Sequence, residues 1–71
     1  MLYDREAARF WRAARLIRTA PRRSVAHWLA RHDLIALKWG ARHEPIRHRA
    51  ARLLALADEQ AGRPYRFSSN Q

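Results

Sequence analysis

The chain of 71 residues has no cysteine, only two glycines and only six acidic residues. Without cysteine it can form neither a disulfide nor a thiolate metal site, so its stability must come from packing, oligomerisation or a partner. No apolar run is long enough to cross a bilayer. Residues 1–12 carry acidic side chains early and lack the long apolar segment of a signal peptide. We therefore expect a single cytoplasmic domain without membrane contact.

The groups that catalysis or metal binding would need are also scarce. Neither glycine lies in a phosphate-binding loop, and Ser24 is better placed to cap a helix than to act as a nucleophile. His43 and Glu44 resemble the start of a zinc-binding HExxH helix. The next histidine, however, is His48, which follows His43 by five residues instead of four, so the two rings do not share a helix face. The sequence therefore predicts no enzymatic activity, no metal site and no cofactor.

Arginine, in contrast, is abundant. Fifteen residues are basic, and the formal net charge is +9. Fourteen of the fifteen are arginine, and Lys38 is the exception. A GC-rich genome would explain arginine in place of lysine, but it does not explain the excess of bases over acids. That excess favours an anionic partner, either nucleic acid or an acidic protein surface.

The first helix is predicted over about 3–19. Apolar side chains recur there at alternating spacings of four and three, as in the seam of a packed helix; they are Tyr3, Ala7, Phe10, Ala14 and Ile17. A stripe of basic side chains follows the side away from this seam, and its members are Arg5, Arg9, Arg12 and Arg15. The stripe is either a solvated helix face or a surface that follows the phosphates of a nucleic acid.

The second helix is predicted over about 24–39, after the break at Pro21, with Ser24 as its N-cap and Gly40 as its left-handed end. Arg22 and Arg23 precede it and could hold a phosphate together with its free N–H groups. The helix has two apolar faces. The larger one is predicted to enter the core, and it consists of Val25, Trp28, Leu29, His32, Ile35, Ala36 and Trp39. The weaker one is predicted to be left over for a partner, and it consists of Ala26, Ala30, Leu34 and Leu37.

The third helix is predicted over about 45–61, with Pro45 in its first turn and Gly62 at its end. Its apolar face consists of Ile46, Ala50, Leu53, Leu54, Ala57 and Ala61. We expect the remaining residues, 63–71, to form an extended tail. Tyr65 and Phe67 in this tail either pack against the bundle or contact a partner.

Four positions within His32–Ala51 carry a small residue, an apolar residue before a turn, a glycine in the turn and an apolar residue after it: Ala36, Trp39, Gly40 and Ile46. This pattern resembles a helix-turn-helix unit. Pro45 and Arg49 depart from the usual residue types of that motif. The resemblance implies that five side chains would face a duplex, namely Arg42, His43, Arg47, His48 and Arg52.

Together these patterns predict an all-α fold, a compact three-helix bundle in residues 1–62 with a basic and polar tail in 63–71. The first functional hypothesis is a non-enzymatic protein that binds nucleic acid through arginine-rich helix faces. Its candidate contact residues are Arg5, Arg9, Arg12, Arg15, Arg22, Arg23, Arg42, Arg47, His48 and Arg52. The alternative is a protein-interaction module, such as a regulator, inhibitor or accessory subunit, that binds an acidic protein surface or a second copy. Its candidate interface residues are Leu34, Leu37, Tyr65 and Phe67.

Overall fold

The computed structural model describes the backbone of residues 2–66 and the side chains of residues 5–60. It contains three helices, α1 (Leu2–Thr19), α2 (Val25–Gly40) and α3 (Glu44–Arg66). The predicted all-α three-helix bundle is confirmed. Helix α2 is central, because it contacts α1 and α3 equally, whereas α1 and α3 touch each other much less. Helix α3 continues through Gly62, which the sequence had predicted as its end.

The α1–α2 connection is organised by Ser24, as predicted. Its backbone is extended, and its hydroxyl accepts a hydrogen bond from the His27 N–H at 3.1 Å. The same hydroxyl donates to the carbonyl oxygen of Pro21 at 2.7 Å. The side chain thus satisfies a free donor of the first turn of α2 and also holds the preceding loop.

The core is built from small side chains. Half of its fully buried apolar residues are alanine, and the set consists of Phe10, Ala13, Ala14, Ala30, Leu34, Leu37, Ala41, Ile46, Ala50 and Leu54. The predicted apolar seams of α1 and α3 both contribute to it. Alanine-lined seams allow helix axes to approach closely, and the largest side chains that are completely enclosed between the helices are Leu34 and Ile46.

Helix α2 presents to the core the face opposite to the predicted one. Leu34 and Leu37 are buried, with 0% and 2% of their surface exposed, whereas Trp28 and Trp39 expose 56% and 75%. The prediction that the tryptophan face packs inside is therefore wrong: α2 buries the face with the smaller side chains, Ala30, Leu34 and Leu37, against the alanine-rich seams of its neighbours. The exposed set is called here the outward face of α2: Val25, Trp28, Leu29, His32, Ile35, Ala36 and Trp39. The buried histidine of the helix is His27, not His32.

The α2–α3 turn also differs from the prediction. Gly40 is the last residue of α2 and does not have a positive φ, so the left-handed glycine of the helix-turn-helix pattern is absent. The C-cap residue that follows it is Ala41. Its backbone is extended, and its N–H donates to the carbonyl oxygen of Leu37 at 3.0 Å. The Ala41 carbonyl oxygen then accepts a hydrogen bond from Arg47 Nη1 at 2.6 Å. An arginine of α3 thus caps α2 in place of a glycine turn.

A carboxylate of α1 holds the same turn from the other side. Glu6 Oε2 accepts the backbone N–H of Arg42 at 2.5 Å, and Oε1 accepts that of His43 at 3.1 Å. The His43 ring nitrogen Nδ1 lies 2.8 Å from Glu6 Oε1. These bonds, the Arg42 backbone bond foremost and the His43 side chain next, hold the pKa of Glu6 below its ordinary value. Glu6 thereby fixes the start of α3 relative to α1.

Candidate nucleic-acid interface

The acidic side chains of the described region are engaged within the molecule. Arg9 Nη2 lies 2.8 Å from Asp33 Oδ1, and its Nε lies 3.1 Å from the same oxygen, which joins α1 to α2. Three further pairs are formed by Arg31 with Asp58, His43 with Glu6 and His48 with Glu44. Among the side chains of residues 5–60, the arginines other than Arg9 and Arg31 therefore have no acidic partner.

The outer side of α1 carries three such arginines. Arg5, Arg12 and Arg15 are exposed and form no ion pair with another residue whose side chain is described. They lie on the side of the helix opposite to Phe10 and Ala14, which are buried in the core. The predicted arginine stripe is thus brought together on one surface, except that Arg9 is paired with Asp33.

A groove between α1 and α3 combines arginines with an exposed indole ring. Arg18 of α1 and Arg49 and Arg52 of α3 line it, and Trp11 lies among them with 56% of its surface exposed. The Trp11 ring meets the ring of buried Phe10 edge-on, with 5.1 Å between centroids and 76° between planes. This contact supports one part of the indole and leaves the rest open. We call this surface the Trp11 groove.

Two predicted contact residues of α3 are occupied by internal contacts. Arg47 is half-buried, and its guanidinium donates to the carbonyl oxygens of Ala41 at 2.6 Å and of Arg42 at 3.4 Å. His48 is exposed and lies 3.4 Å from Glu44 one turn earlier. The structure therefore gives Arg47 a place in the α2–α3 turn rather than on an open surface, whereas Arg52 does lie on an open surface.

The remaining predicted residues lie elsewhere. Arg22 and Arg23 are exposed in the α1–α2 loop, where they line a shallow depression with Trp28 and Arg31. The side chain of Arg42 is exposed in the α2–α3 turn, and its backbone N–H is the one bound by Glu6. These three arginines do not line the Trp11 groove.

Sequence reasoning missed the groove residues Trp11, Arg18 and Arg49. Two signals were present: Arg18 extends the arginine stripe by one turn after Arg15, and Arg49 precedes Arg52 by one turn of the same helix. The helix-turn-helix alignment assigned Arg49 to an apolar position and so concealed it. The structure leaves Arg49 exposed.

The predicted partner interface requires a correction. Leu34 and Leu37 are fully enclosed by the bundle, so neither can contact a partner. The side chains of Tyr65 and Phe67 lie outside the described residues. The apolar surface that is accessible is the outward face of α2, on which the rings of Trp28 and His32 stack with 4.0 Å between centroids. At its end, Lys38 Nζ lies 5.0 Å from the centre of the Trp39 ring.

Within the described part of the chain, no three histidine, aspartate or glutamate side chains are grouped so that they could hold a metal ion. None of the helices there has the length and apolar character that crossing a bilayer requires. No family model matches the chain, and neither a curated protein nor a solved structure is significantly similar to it.

Proposed function

We propose that this protein binds nucleic acid without catalysis, through the arginines of α1 and α3. One observation carries the proposal: the Trp11 groove and the adjoining face of α1 hold exposed arginines that have no acidic partner among the side chains of residues 5–60. Acidic side chains elsewhere in this range are paired internally. Guanidinium groups bind phosphate oxygens through paired, charge-assisted hydrogen bonds. A surface with several of them gives affinity for the phosphate backbone that does not depend on sequence.

Trp11 adds a contact that phosphates alone do not provide. An exposed indole ring beside arginines is the combination on which unpaired bases stack, and each stacked base contributes about 1–3 kcal/mol. Arg18, Arg49 and Arg52 line the same groove as this ring and would bind the flanking phosphates. The groove therefore favours single-stranded nucleic acid over a duplex, whose bases are already stacked.

The direct test is fluorescence anisotropy with labelled single-stranded DNA, single-stranded RNA and duplex DNA at two salt concentrations. We expect binding to single strands to weaken steeply with salt, with a slope of about −0.7 per phosphate contact. The duplex should bind more weakly than the single strands. Absence of binding to all three probes at low salt would refute the proposal.

A matched pair of variants locates the site. Arg49→Gln and Lys38→Gln each remove one positive charge, but only Arg49 lines the Trp11 groove. We expect Arg49→Gln to reduce the salt slope by about one phosphate contact and Lys38→Gln to leave it nearly unchanged. Trp11→Ala should weaken single-strand binding by roughly 5- to 150-fold, as loss of one stacked base predicts. Equal effects of the two charge variants would mean that net charge alone attracts the nucleic acid.

The alternative function, a protein-interaction module, is favoured by a different observation, the exposed outward face of α2. Monomeric proteins rarely expose contiguous apolar patches larger than a few hundred Å², and the largest patch on a protein surface is often an interaction site. None of the seven side chains of this face is acidic, and none is lysine or arginine. An apolar partner surface therefore suits the face better than an acidic one.

A further inference from the structure

We propose that the outward face of α2 is a dimer interface, on which a second copy of this chain packs its own α2 in antiparallel orientation. This inference is independent of nucleic-acid binding, because it concerns a different surface. It rests on the size of the face, on the spacing of its residues and on the distribution of charge around it.

The area of the face matches the lower limit for a specific dimer. Trp28 and Trp39 expose 56% and 75% of their surfaces, and Val25, Leu29 and Ile35 expose 71%, 51% and 38%. With about 250 Å² for a whole tryptophan, these five side chains expose roughly 500–600 Å² per copy. Two copies packed face to face would bury at most about 1,000–1,200 Å², which is at the lower end of the range for specific interfaces.

The spacing of the residues is symmetric about His32. Measured from His32, the other members of the face lie three, four and seven residues away in both directions along the chain. A two-fold axis through His32 would therefore place each member opposite another member on the second copy. The facing pairs would be Val25 with Trp39, Trp28 with Ala36 and Leu29 with Ile35.

These facing pairs are complementary in size. Each tryptophan would meet a small or medium side chain, so that indole rings would alternate along the interface instead of colliding. Antiparallel helices pack with axes about 8–10 Å apart when large and small side chains alternate in this way. A parallel arrangement would instead place Trp28 against Trp28 and Trp39 against Trp39.

The cations nearest to the face lie at its edge, with Lys38 against Trp39 and with Arg22, Arg23 and Arg31 beside Trp28, so the pairing must overcome their repulsion as well as the formal net charge of +9. The face itself carries no lysine or arginine, and α1 and α3 pack against the opposite side of α2. The Trp11 grooves of the two copies would therefore lie away from the contact. An acidic protein partner would meet cations only at the edge of the face, whereas a second copy meets an apolar surface equal to its own.

The first experiment measures the molecular mass in solution by light scattering or sedimentation equilibrium at concentrations up to about 100 µM. We expect a mass near twice the 8.4 kDa of one chain. Trp28→Glu should give a monomer, because it places a charge against the apolar face. Trp11→Glu is the matched control, since Trp11 is exposed to the same 56% but lies on α1, and it should remain dimeric.

Circular dichroism checks that each variant is folded. Ala36→Glu provides a second disruption, at an exposed alanine opposite Trp28 in the proposed register, and it should also give a monomer. A monomeric wild type at the highest concentration would overturn the proposal. So would a dimer that survives both Trp28→Glu and Ala36→Glu.

The second experiment tests the register of the two helices. Because the chain has no native cysteine, an introduced cysteine can pair only with its copy on the other chain. A single cysteine at His32→Cys should form a disulfide between copies under mild oxidation, because the two-fold axis passes through this position. Val25→Cys should not, because the two sulfur atoms would be about 20 Å apart along the helices at 1.5 Å per residue. Cross-linking at both positions would indicate a parallel pair and contradict the proposed orientation.

Cosedimentation with vesicles of phosphatidylserine and phosphatidylcholine tests whether the outward face of α2 binds a lipid surface instead of a second copy. A wild type that is monomeric in solution and loses vesicle binding in Trp28→Glu would overturn the dimer and assign the face to an anionic lipid surface. A dimer that does not cosediment with these vesicles would support the proposal.

Discussion

At the scale of single residues, the connections between helices depend on a few polar side chains with several partners each. Glu6 binds two backbone N–H groups and a histidine ring at the α2–α3 turn. Arg47 donates to two carbonyl oxygens of the same turn. Ser24 was predictable, because a serine after a proline break is a familiar cap. Glu6 was not, because its partners lie more than thirty residues away and leave no local pattern.

Glu6→Gln should reduce stability at neutral pH and flatten its dependence on acid. The folded protein holds the pKa of Glu6 below the ordinary 4.5, so the stabilisation is fully present above about 4.5 and is lost as pH falls through the lower, folded-state value. The measurement is the free energy of unfolding by urea between pH 3 and 7. Glu44→Gln, which removes an exposed carboxylate of α3, is the control and should retain the acid dependence of the wild type.

Gly40→Ala should stabilise the protein by about 0.4–1 kcal/mol. Gly40 is helical, has no positive φ, and has open space within 4 Å of the position that a Cβ atom would occupy. Alanine there lowers the entropy of the unfolded chain without creating strain. Thermal unfolding followed by circular dichroism gives the change. A destabilised variant would mean that the turn needs the left-handed glycine after all.

At the scale of helices, periodicity predicted three elements and the seams of α1 and α3, but it misassigned the two faces of α2. Both faces of α2 are apolar, so hydrophobicity alone cannot show which of them enters the core. The choice depends on the width of the space between the neighbouring helices, which is set by alanines such as Ala14 and Ala50 on α1 and α3. This spacing depends on the tertiary structure and cannot be read from the sequence of α2. In the structure the leucine face is buried and the tryptophan face is exposed. The Trp11 groove escaped detection for the same reason, since it forms only where α1 meets α3.

Two leucine substitutions test which face of α2 is buried in the core. Leu34→Ala should cost about 2–5 kcal/mol, because Leu34 is completely buried and leaves a cavity. Leu29→Ala removes a leucine that is half exposed and should cost less than about 1 kcal/mol. Urea unfolding at low protein concentration, where association does not contribute, provides both values. Comparable losses for the two variants would show that the assignment of the faces is wrong.

At the scale of the whole molecule, the charge is both the basis of the proposed function and a source of instability. A net charge of +9 on so small a chain repels itself, and the exposed arginines of α1 lie close together. The two arginine–aspartate pairs, Arg9 with Asp33 and Arg31 with Asp58, relieve only part of this repulsion.

Salt should therefore stabilise the protein. Between about 50 mM and 500 mM sodium chloride we expect Tm to rise by several degrees, because the Debye length falls from roughly 14 Å to 4 Å and repulsion between arginines is screened. Differential scanning calorimetry measures this shift. A decrease in Tm would indicate that the pairs such as Arg9 with Asp33 outweigh the repulsion.

The three tryptophans have a practical consequence for anyone who studies this protein in solution. Trp11, Trp28 and Trp39 are all more than half exposed, so none reports on the interior. The intrinsic emission of the folded monomer should resemble that of indole in water, and it should barely shift in denaturant. The same fluorescence can detect binding at the surface. A stacked base should quench the emission of Trp11, and a second copy that covers Trp28 and Trp39 should shift their emission to the blue.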